Sequence, residues 1–336
     1  MTPTWKVVVT DSEYADTAIE AEALGRVAGG VALSRAQLLD AAGRAAGPAG
    51  LADAAGDADG VLTQGYPLTA EGIGALARCR VIARYGVGVD SVDVAAATAR
   101  GIAVCNVPDY CVDEVSDHAL ALLLASARRV AAQDRCVREG RWAARAAGPV
   151  RRLRGRTLGV VGFGRIGQAL AAKAAAVGLR VVARDPLVAD EAVRAAGAEP
   201  AGTLEALLAE AHFVSVHVPL GAGTRALIGE PELRRMRPDA VLINTARGGV
   251  VDEAALARAL REGWIAGAAL DVRQTEPAAP GHPFAGLPNV ILTPHMAWYS
   301  EESEIEVRRK AAEGVAAVLS GRRPPYLVNP EVWREP

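Results

Sequence analysis

The chain has 336 residues, enough for two domains and too many for one compact core. With 37 Lys and Arg against 39 Asp and Glu its net charge is −2, so nothing draws it electrostatically to nucleic acid or to an anionic membrane. The longest largely apolar run, residues 119–127 with Ser126 inside it, falls well short of the roughly 18 residues a membrane-spanning helix needs.

The opening MTPTWKVVVTD leads straight into a strand-like run. It has neither a basic segment nor a cleavage site, so it does not read as a signal peptide, and the expected location is cytoplasmic. Short β-branched runs then alternate with alanine-rich helical windows, the pattern of parallel α/β layers. Strands are predicted at residues 6–9, 60–63, 81–84 and 102–105, and helices at 34–46, 71–77 and 92–100. Gly101 stands where a helix C-cap glycine belongs. Cys79, Cys105, Cys111 and Cys136 form no C-x-x-C pair and have no His at zinc-ligand spacing. They read as reduced and buried, and no metal site is expected.

A single long helix is predicted over residues 117–138. After it come six strand candidates at 157–161, 180–183, 213–217, 240–244, 266–270 and 290–292, the complement of a dinucleotide-binding sheet. A last helix over 301–320 presents Ile305, Ala312, Val315 and Leu319 on one face, and Gly321 and Pro324 stop it. A glycine-rich nucleotide fingerprint (Gly162, Gly164 and Gly167, spaced G-x-G-x-x-G) follows the first of the six strands and so lies mid-chain, between an α/β block too small to hold it and a helix without a sheet. The economical arrangement is one domain inserted into another: residues 1–105 with 296–336 as a substrate domain, and 106–295 as an NAD-binding Rossmann domain.

Gly162, Gly164 and Gly167 form G-x-G-x-x-G after an apolar strand and before a helix. The first glycine permits a tight turn, the second lets backbone approach a pyrophosphate, and the third lets helix and strand pack. The helix N-terminus then offers N–H groups to the phosphates. Asp185 ends the next strand, where a carboxylate accepts from the ribose hydroxyls of NAD and repels the 2′-phosphate of NADP. Arg184 beside it offers a partial offset to that repulsion.

Three polar residues follow later strands at their C-terminal ends: Arg247, Glu276 and His295. Together they suit hydride transfer between a nicotinamide and a 2-oxo acid. Arg247 offers a planar fork of donors to a carboxylate. His295 gives a proton to the carbonyl oxygen, or takes it back from the hydroxy acid. Glu276 orients the imidazole and favours its charged form. His217, which closes a strand, is placed to touch the cofactor without doing chemistry. His118, His212 and His282 read as structural. Tyr85 and Trp298 are candidates for an aromatic wall around a substrate tail.

INTARGGVVDEAAL, ALDVRQTEP and TPHMAWYS, with RYGVGVDSVD and CNVPDY upstream, resemble the D-isomer-specific 2-hydroxyacid dehydrogenase family over nearly the whole chain. The resemblance implies a two-domain α/β fold, a Rossmann domain inserted into a flavodoxin-like substrate domain. It implies catalytic roles for Arg247, Glu276 and His295, with NAD as cofactor and a small 2-oxo or 2-hydroxy acid as substrate. It further implies Arg165 and Ile166 along the pyrophosphate, Val218, Pro219 and Thr224 on the adenosine side, Thr245 and Ala246 near the nicotinamide ribose, and Asp271 on the carboxamide. The backbone of Val87 and Gly88 would touch the substrate carboxylate. Family members pair as homodimers, which here would use the helix at 117–138 and the following arm. Within the family, HMAWYSEES is closest to the carboxyl-terminal-binding corepressors, whose oxo acid contacts match Arg84 and Trp298. YGVGVD is also close to phosphoglycerate dehydrogenase. An NAD-sensing corepressor-like protein with vestigial catalysis is thus the alternative to an active dehydrogenase. Two positions depart from the family: Arg273 replaces an aromatic, and His212 stands where Asp is common.

Overall fold

The computed structural model describes residues 4–334. It separates into two compact units, one running to Tyr110 and resuming at Ser300, the other Cys111–Tyr299. The changeovers at 110/111 and 299/300 lie a few residues beyond the expected 105/106 and 295/296.

The first unit contains β1 (Trp5–Val9), α1 (Ala18–Leu24), β2 (Val31–Arg35), α2 (Gly47–Ala55), β3 (Gly60–Thr63), α3 (Ala70–Ala75), β4 (Val81–Arg84), α4 (Val94–Ala99) and β5 (Ala103–Cys105). Its strands form one parallel sheet in the order β2-β1-β3-β4-β5, the flavodoxin-like winding. Val8, Val61, Ile82 and Val104 are completely buried, as strands covered on both faces require.

One expectation fails here. The helix predicted over 34–46 does not form; that stretch is the end of edge strand β2 and a loop, and the helix starts at Gly47. Asp40 is the reason: its carboxylate accepts from the backbone N–H of Ala42 at 2.8 Å and of Arg44 at 2.9 Å, closing a turn in competition with a helix. β2 itself is missing from the prediction because its Ala, Ser and Arg face solvent.

The second unit contains α5 (Val112–Arg128), α6 (Val130–Arg138), β6 (Thr157–Val161), α7 (Arg165–Ala176), β7 (Arg180–Arg184), α8 (Asp190–Ala195), β8 (Glu199–Pro200), α9 (Leu204–Glu210), β9 (Phe213–Val216), α10 (Glu230–Arg235), β10 (Val241–Asn244), α11 (Glu253–Glu262), β11 (Gly267–Leu270) and β12 (Val290–Leu292). The six predicted strands all form, and the two-residue β8 adds a seventh. The parallel order β12-β11-β10-β9-β6-β7-β8 reverses direction between β6 and β9, the switch point where doubly wound sheets bind ligands.

The single helix predicted over 117–138 is two. It begins at Val112 and breaks at Arg129, whose φ of 54° is left-handed. The Arg129 side chain stabilises the break, donating Nε to the Pro149 carbonyl at 3.0 Å and Nη1 to that of Ala147 at 2.9 Å. The last helix, α12 (Glu301–Leu319), belongs to the first unit and packs on α1 and on β3, β4 and β5. Ala312, Val315 and Leu319 are buried there, whereas Ile305, predicted on the same face, is exposed.

Candidate active site

The fingerprint glycines occupy positions that follow from packing. Gly162 follows β6 with φ +92°, a conformation that penalises any side chain. A Cβ on it would sit 2.8 Å from the His217 carbonyl carbon and 2.8 Å from Val218 Cγ1, so the end of β9 closes against this turn. A Cβ on Gly167 would overlap the Gly162 carbonyl, while Gly164 has open space beside it. Gly164 is the N-cap of α7, and Arg165 and Ile166 form the first turn, where backbone N–H groups lack helical partners. Gln168 steadies the loop by donating to the Phe163 carbonyl at 2.9 Å.

Asp185 stands at the C-terminal end of β7. Its carboxylate accepts from the backbone N–H of Phe163 at 2.8 Å and of Leu187 at 2.9 Å, which ties it to the glycine turn. Across the switch point, His217 donates its backbone N–H to the Val161 carbonyl at 2.7 Å, and its Nε2 lies 2.8 Å from Ser215 Oγ. Burial pushes the His217 imidazole down to about 4, so it is neutral near pH 7. Val218 is half-buried and Pro219 exposed. Thr224 shapes this loop by donating to the Pro219 carbonyl at 2.5 Å and accepting from the Gly221 N–H at 2.8 Å. The Thr245 hydroxyl is buried without a hydrogen-bond partner among the described residues, an uncommon state for a polar group.

The second unit brings Arg247, Glu276 and His295 onto loops after β10, β11 and β12, which are neighbours in the sheet. Asn244, completely buried, moulds the first loop: its Nδ2 donates to the Arg247 carbonyl at 2.9 Å, and its Oδ1 accepts from the Ala246 N–H at 3.0 Å. Arg247 Nη1 donates to the Ala246 carbonyl at 2.7 Å. His295 Nδ1 lies 2.6 Å from Glu276 Oε2, and the side chains are 36% and 35% exposed, so a reactant can reach the pair. Burial raises the Glu276 carboxyl, but the hydrogen bond and charge of His295 outweigh it and hold the group below its ordinary value. Glu276 is therefore ionised at neutral pH.

His295 adopts φ 54°, a left-handed conformation for a residue with a side chain. Asp271 sustains it. The Asp271 carbonyl accepts from the His295 N–H at 2.8 Å, and its carboxylate accepts from Thr293 Oγ1 at 2.6 Å and from the N–H groups of Met296 at 3.0 Å and Ala297 at 2.9 Å. His118 Nε2 lies 3.0 Å from Thr293 Oγ1, which extends the network to α5. Asp271 thus carries a structural duty that the resemblance did not imply. Asn244, Thr293 and Glu253 (which pairs with Arg273) support the site and went unnoticed in the sequence. Their only signal there was a polar residue at a strand end or helix start.

Trp298 meets Tyr299 edge to face with centroids 5.6 Å apart. Arg84, Val87 and Gly88 belong to the first unit. Arg84 Nε donates to the Gln64 carbonyl at 3.1 Å, and Val87 accepts from Asn106 Nδ2 at 2.6 Å. Gly86 between them takes φ +145°, and a Cβ on it would overlap the Arg84 guanidinium. Tyr85 turns inward, buried, and its hydroxyl donates to Glu20 at 3.2 Å, so it is packing and not a substrate wall. His212 Nδ1 accepts from the Thr157 N–H at 3.1 Å. Among the described residues no group of His, Cys, Asp and Glu could hold a metal ion.

Residues 120–297 match the family model for the D-isomer specific 2-hydroxyacid dehydrogenase, NAD binding domain. A glyoxylate reductase of Korarchaeum cryptofilum is 47% identical over 270 residues, 79% of this chain and 81% of that protein. The D-lactate dehydrogenase of Aquifex aeolicus, solved with NAD and lactic acid, superposes with a TM-score of 0.84 at 28% identity, covering 96% of this chain and 99% of that one. The NADPH-dependent glyoxylate/hydroxypyruvate reductase of Sinorhizobium meliloti, solved with NADP and malonate, gives 0.81 at 31% identity and covers 99% of each chain.

Proposed function

Because the chain belongs to the D-isomer-specific 2-hydroxyacid dehydrogenase family, and is an oxidoreductase of the CH–OH group with a nicotinamide cofactor, we propose that it works as an NAD-dependent reductase of small 2-oxo acids such as glyoxylate. The observation that carries this reading is the ionised Glu276 hydrogen-bonded to His295, on the strand ends next to Arg247.

The chain's groups fit the cofactor. The open flank of Gly164, the first turn of α7 and the carboxylate of Asp185 suit a dinucleotide without a 2′-phosphate. The unpartnered Thr245 hydroxyl suits a ribose hydroxyl, with Ala246 beside it. Val218, Pro219 and Thr224 line the adenosine side, and the neutral His217 adds surface without charge. Asp271 would take the carboxamide on a lone pair left by its three protein donors. When bound, the nicotinamide supplies the hydride.

The protein's own residues do the rest. Arg247 holds the substrate carboxylate through its fork and polarises the adjacent carbonyl. Glu276, as a carboxylate, accepts from His295 Nδ1 and fixes the ring. His295 then delivers a proton from Nε2 to the carbonyl oxygen, and recovers it in the oxidation direction. Arg84, the backbone of Val87 and Gly88, and Trp298 carry over from the resemblance as substrate contacts. Homodimerisation through residues 117–138, which α5 and α6 share, and the following arm belongs to the same reading, supported by Val130 and Trp142, which stand 55% and 88% exposed. So does a cytoplasmic location.

A panel of 2-oxo acids assayed with NADH and NADPH tests the proposal. Turnover of glyoxylate or a near homologue with NADH preferred is the expected result, and Arg247→Lys should cut kcat/KM about 100-fold by losing the fork. Tight NADH binding with no turnover across the panel would favour the corepressor-like alternative instead.

A further inference from the structure

Arg273 stands where the family resemblance calls for an aromatic, three residues before Glu276. Its side chain is 9% exposed and pairs with Glu253, itself 11% exposed. Both arms of the fork are used: Nε donates to Oε1 at 2.9 Å and Nη2 to Oε2 at 3.1 Å. The Gln274 N–H adds a bond to Glu253 Oε1 at 2.7 Å, and the guanidinium carbon lies 4.7 Å from the Phe284 ring centroid.

The pair connects two loops of the site. Glu253 is the first residue of α11, the helix that follows the Arg247 loop. Arg273 donates its backbone N–H to Glu276 Oε1 at 2.7 Å, while the other Glu276 oxygen lies 2.6 Å from His295 Nδ1. The loops also meet backbone to backbone, since a Cβ on Gly248 would overlap the Arg273 carbonyl. Residues 274–281 are exposed along this loop, so these bonds, more than packing by neighbouring loop side chains, fix the direction of Glu276.

We propose that Arg273, through its buried fork on Glu253, is a positioning residue that fixes Glu276 against His295 and registers their loop on the Arg247 loop. An aromatic could fill the same space, but only a forked donor anchored at two points sets direction as well as place. The inference rests on Glu276 acting through His295. The charged groups around that pair are Arg247, Arg273 with Glu253, and Asp271 beneath the His295 loop.

The test is a mutant cycle, because coupling separates positioning from general damage. Arg273→Met/Glu253→Gln removes the pair without changing net charge, and should lower kcat about tenfold with KM for NADH unchanged. Its acid limb of kcat/KM should move to higher pH, as Glu276 loses the bonds that hold its carboxyl low and keeps the burial that raises it. Glu276→Gln alone should lower kcat about 100-fold and abolish that limb. Adding the pair substitutions to Glu276→Gln should then cost nothing more. An equal loss in both backgrounds, or wild-type kcat and limb in the double variant, overturns the proposal. Wild-type turnover in Glu276→Gln would instead remove the role given to Glu276. Where the double variant does not fold, Arg273→Lys decides: it keeps the charge and loses the fork, so a several-fold lower kcat with a raised limb supports positioning, and wild-type behaviour overturns it.

Discussion

Two charged clusters, one in each unit, put similar groups to opposite uses. In the first unit Arg308 on α12 donates Nε and Nη2 to Glu20 on α1, both at 2.9 Å, and Nη2 also to Asp16 at 3.1 Å. The Tyr85 hydroxyl joins the same carboxylate, and the guanidinium lies 4.8 Å from the Tyr14 ring centroid. Arg308 and Glu20 are 6% and 1% exposed, against 36% and 35% for His295 and Glu276 in the second unit. Burial lowers the Arg308 guanidinium, but the bonds and charge of Glu20 and Asp16 outweigh it and hold the group above its usual range. A cluster so enclosed keeps its protons and locks a helix onto the unit. The open pair leaves one imidazole nitrogen able to exchange a proton with a reactant. In the proposed mechanism, exposure, more than the identity of the groups, separates a clamp from a proton donor.

The comparison can be broken from either side. Arg308→Met strands a buried carboxylate and should cost about 3–5 kcal/mol in denaturant unfolding. A loss below about 1 kcal/mol would show that the cluster is no clamp. His295→Ala should lower turnover about 1000-fold with little change in unfolding and with NADH still bound, as fluorescence titration would report. Near-wild-type turnover in that variant would return the exposed pair to a structural role.

pH sharpens the same contrast. The depressed Glu276 carboxyl keeps its bond to His295 above its own pKa and loses it as pH falls through that value. The acid loss of kcat/KM should therefore centre below the ordinary 4.5, and a midpoint above it would contradict the arrangement. Asp185 offers a third and smaller case, a carboxylate held by backbone N–H groups in place of a cation. Asp185→Ser should raise the NADPH-to-NADH ratio of kcat/KM about tenfold, with Arg184 then facing the 2′-phosphate unopposed. An unchanged ratio would mean that the carboxylate plays no part in cofactor choice.

What could be read in advance follows local rules. Buried parallel strands are continuous apolar runs, so β6, β7, β9, β10 and β11 were visible; the half-buried edge strand β12 keeps an apolar run too, and each of Arg247, Glu276 and His295 could be placed after one of these strands. The misreadings came where a side chain overrides the local pattern. Asp40 caps a turn inside an alanine-rich window, and Arg129 breaks a stretch whose apolar period runs on through the break. Tyr85 looked available for a substrate only because its partner, Glu20, lies far away in the chain.

Sequence alone determined the kind of chemistry: a glycine turn before a helix, an acid after the second strand, and a fork, a carboxylate and an imidazole each behind an apolar run. Those signals survive because each rests on residues adjacent along the chain. Only the tertiary structure decided how the groups are held, with Asp271 under the His295 loop, Glu253 on Arg273, and Glu276 between Arg273 and His295. Apart from the local bond between Arg273 and Glu276, these join residues 19 to 26 positions apart through neighbouring strands, and no local pattern records which strands become neighbours.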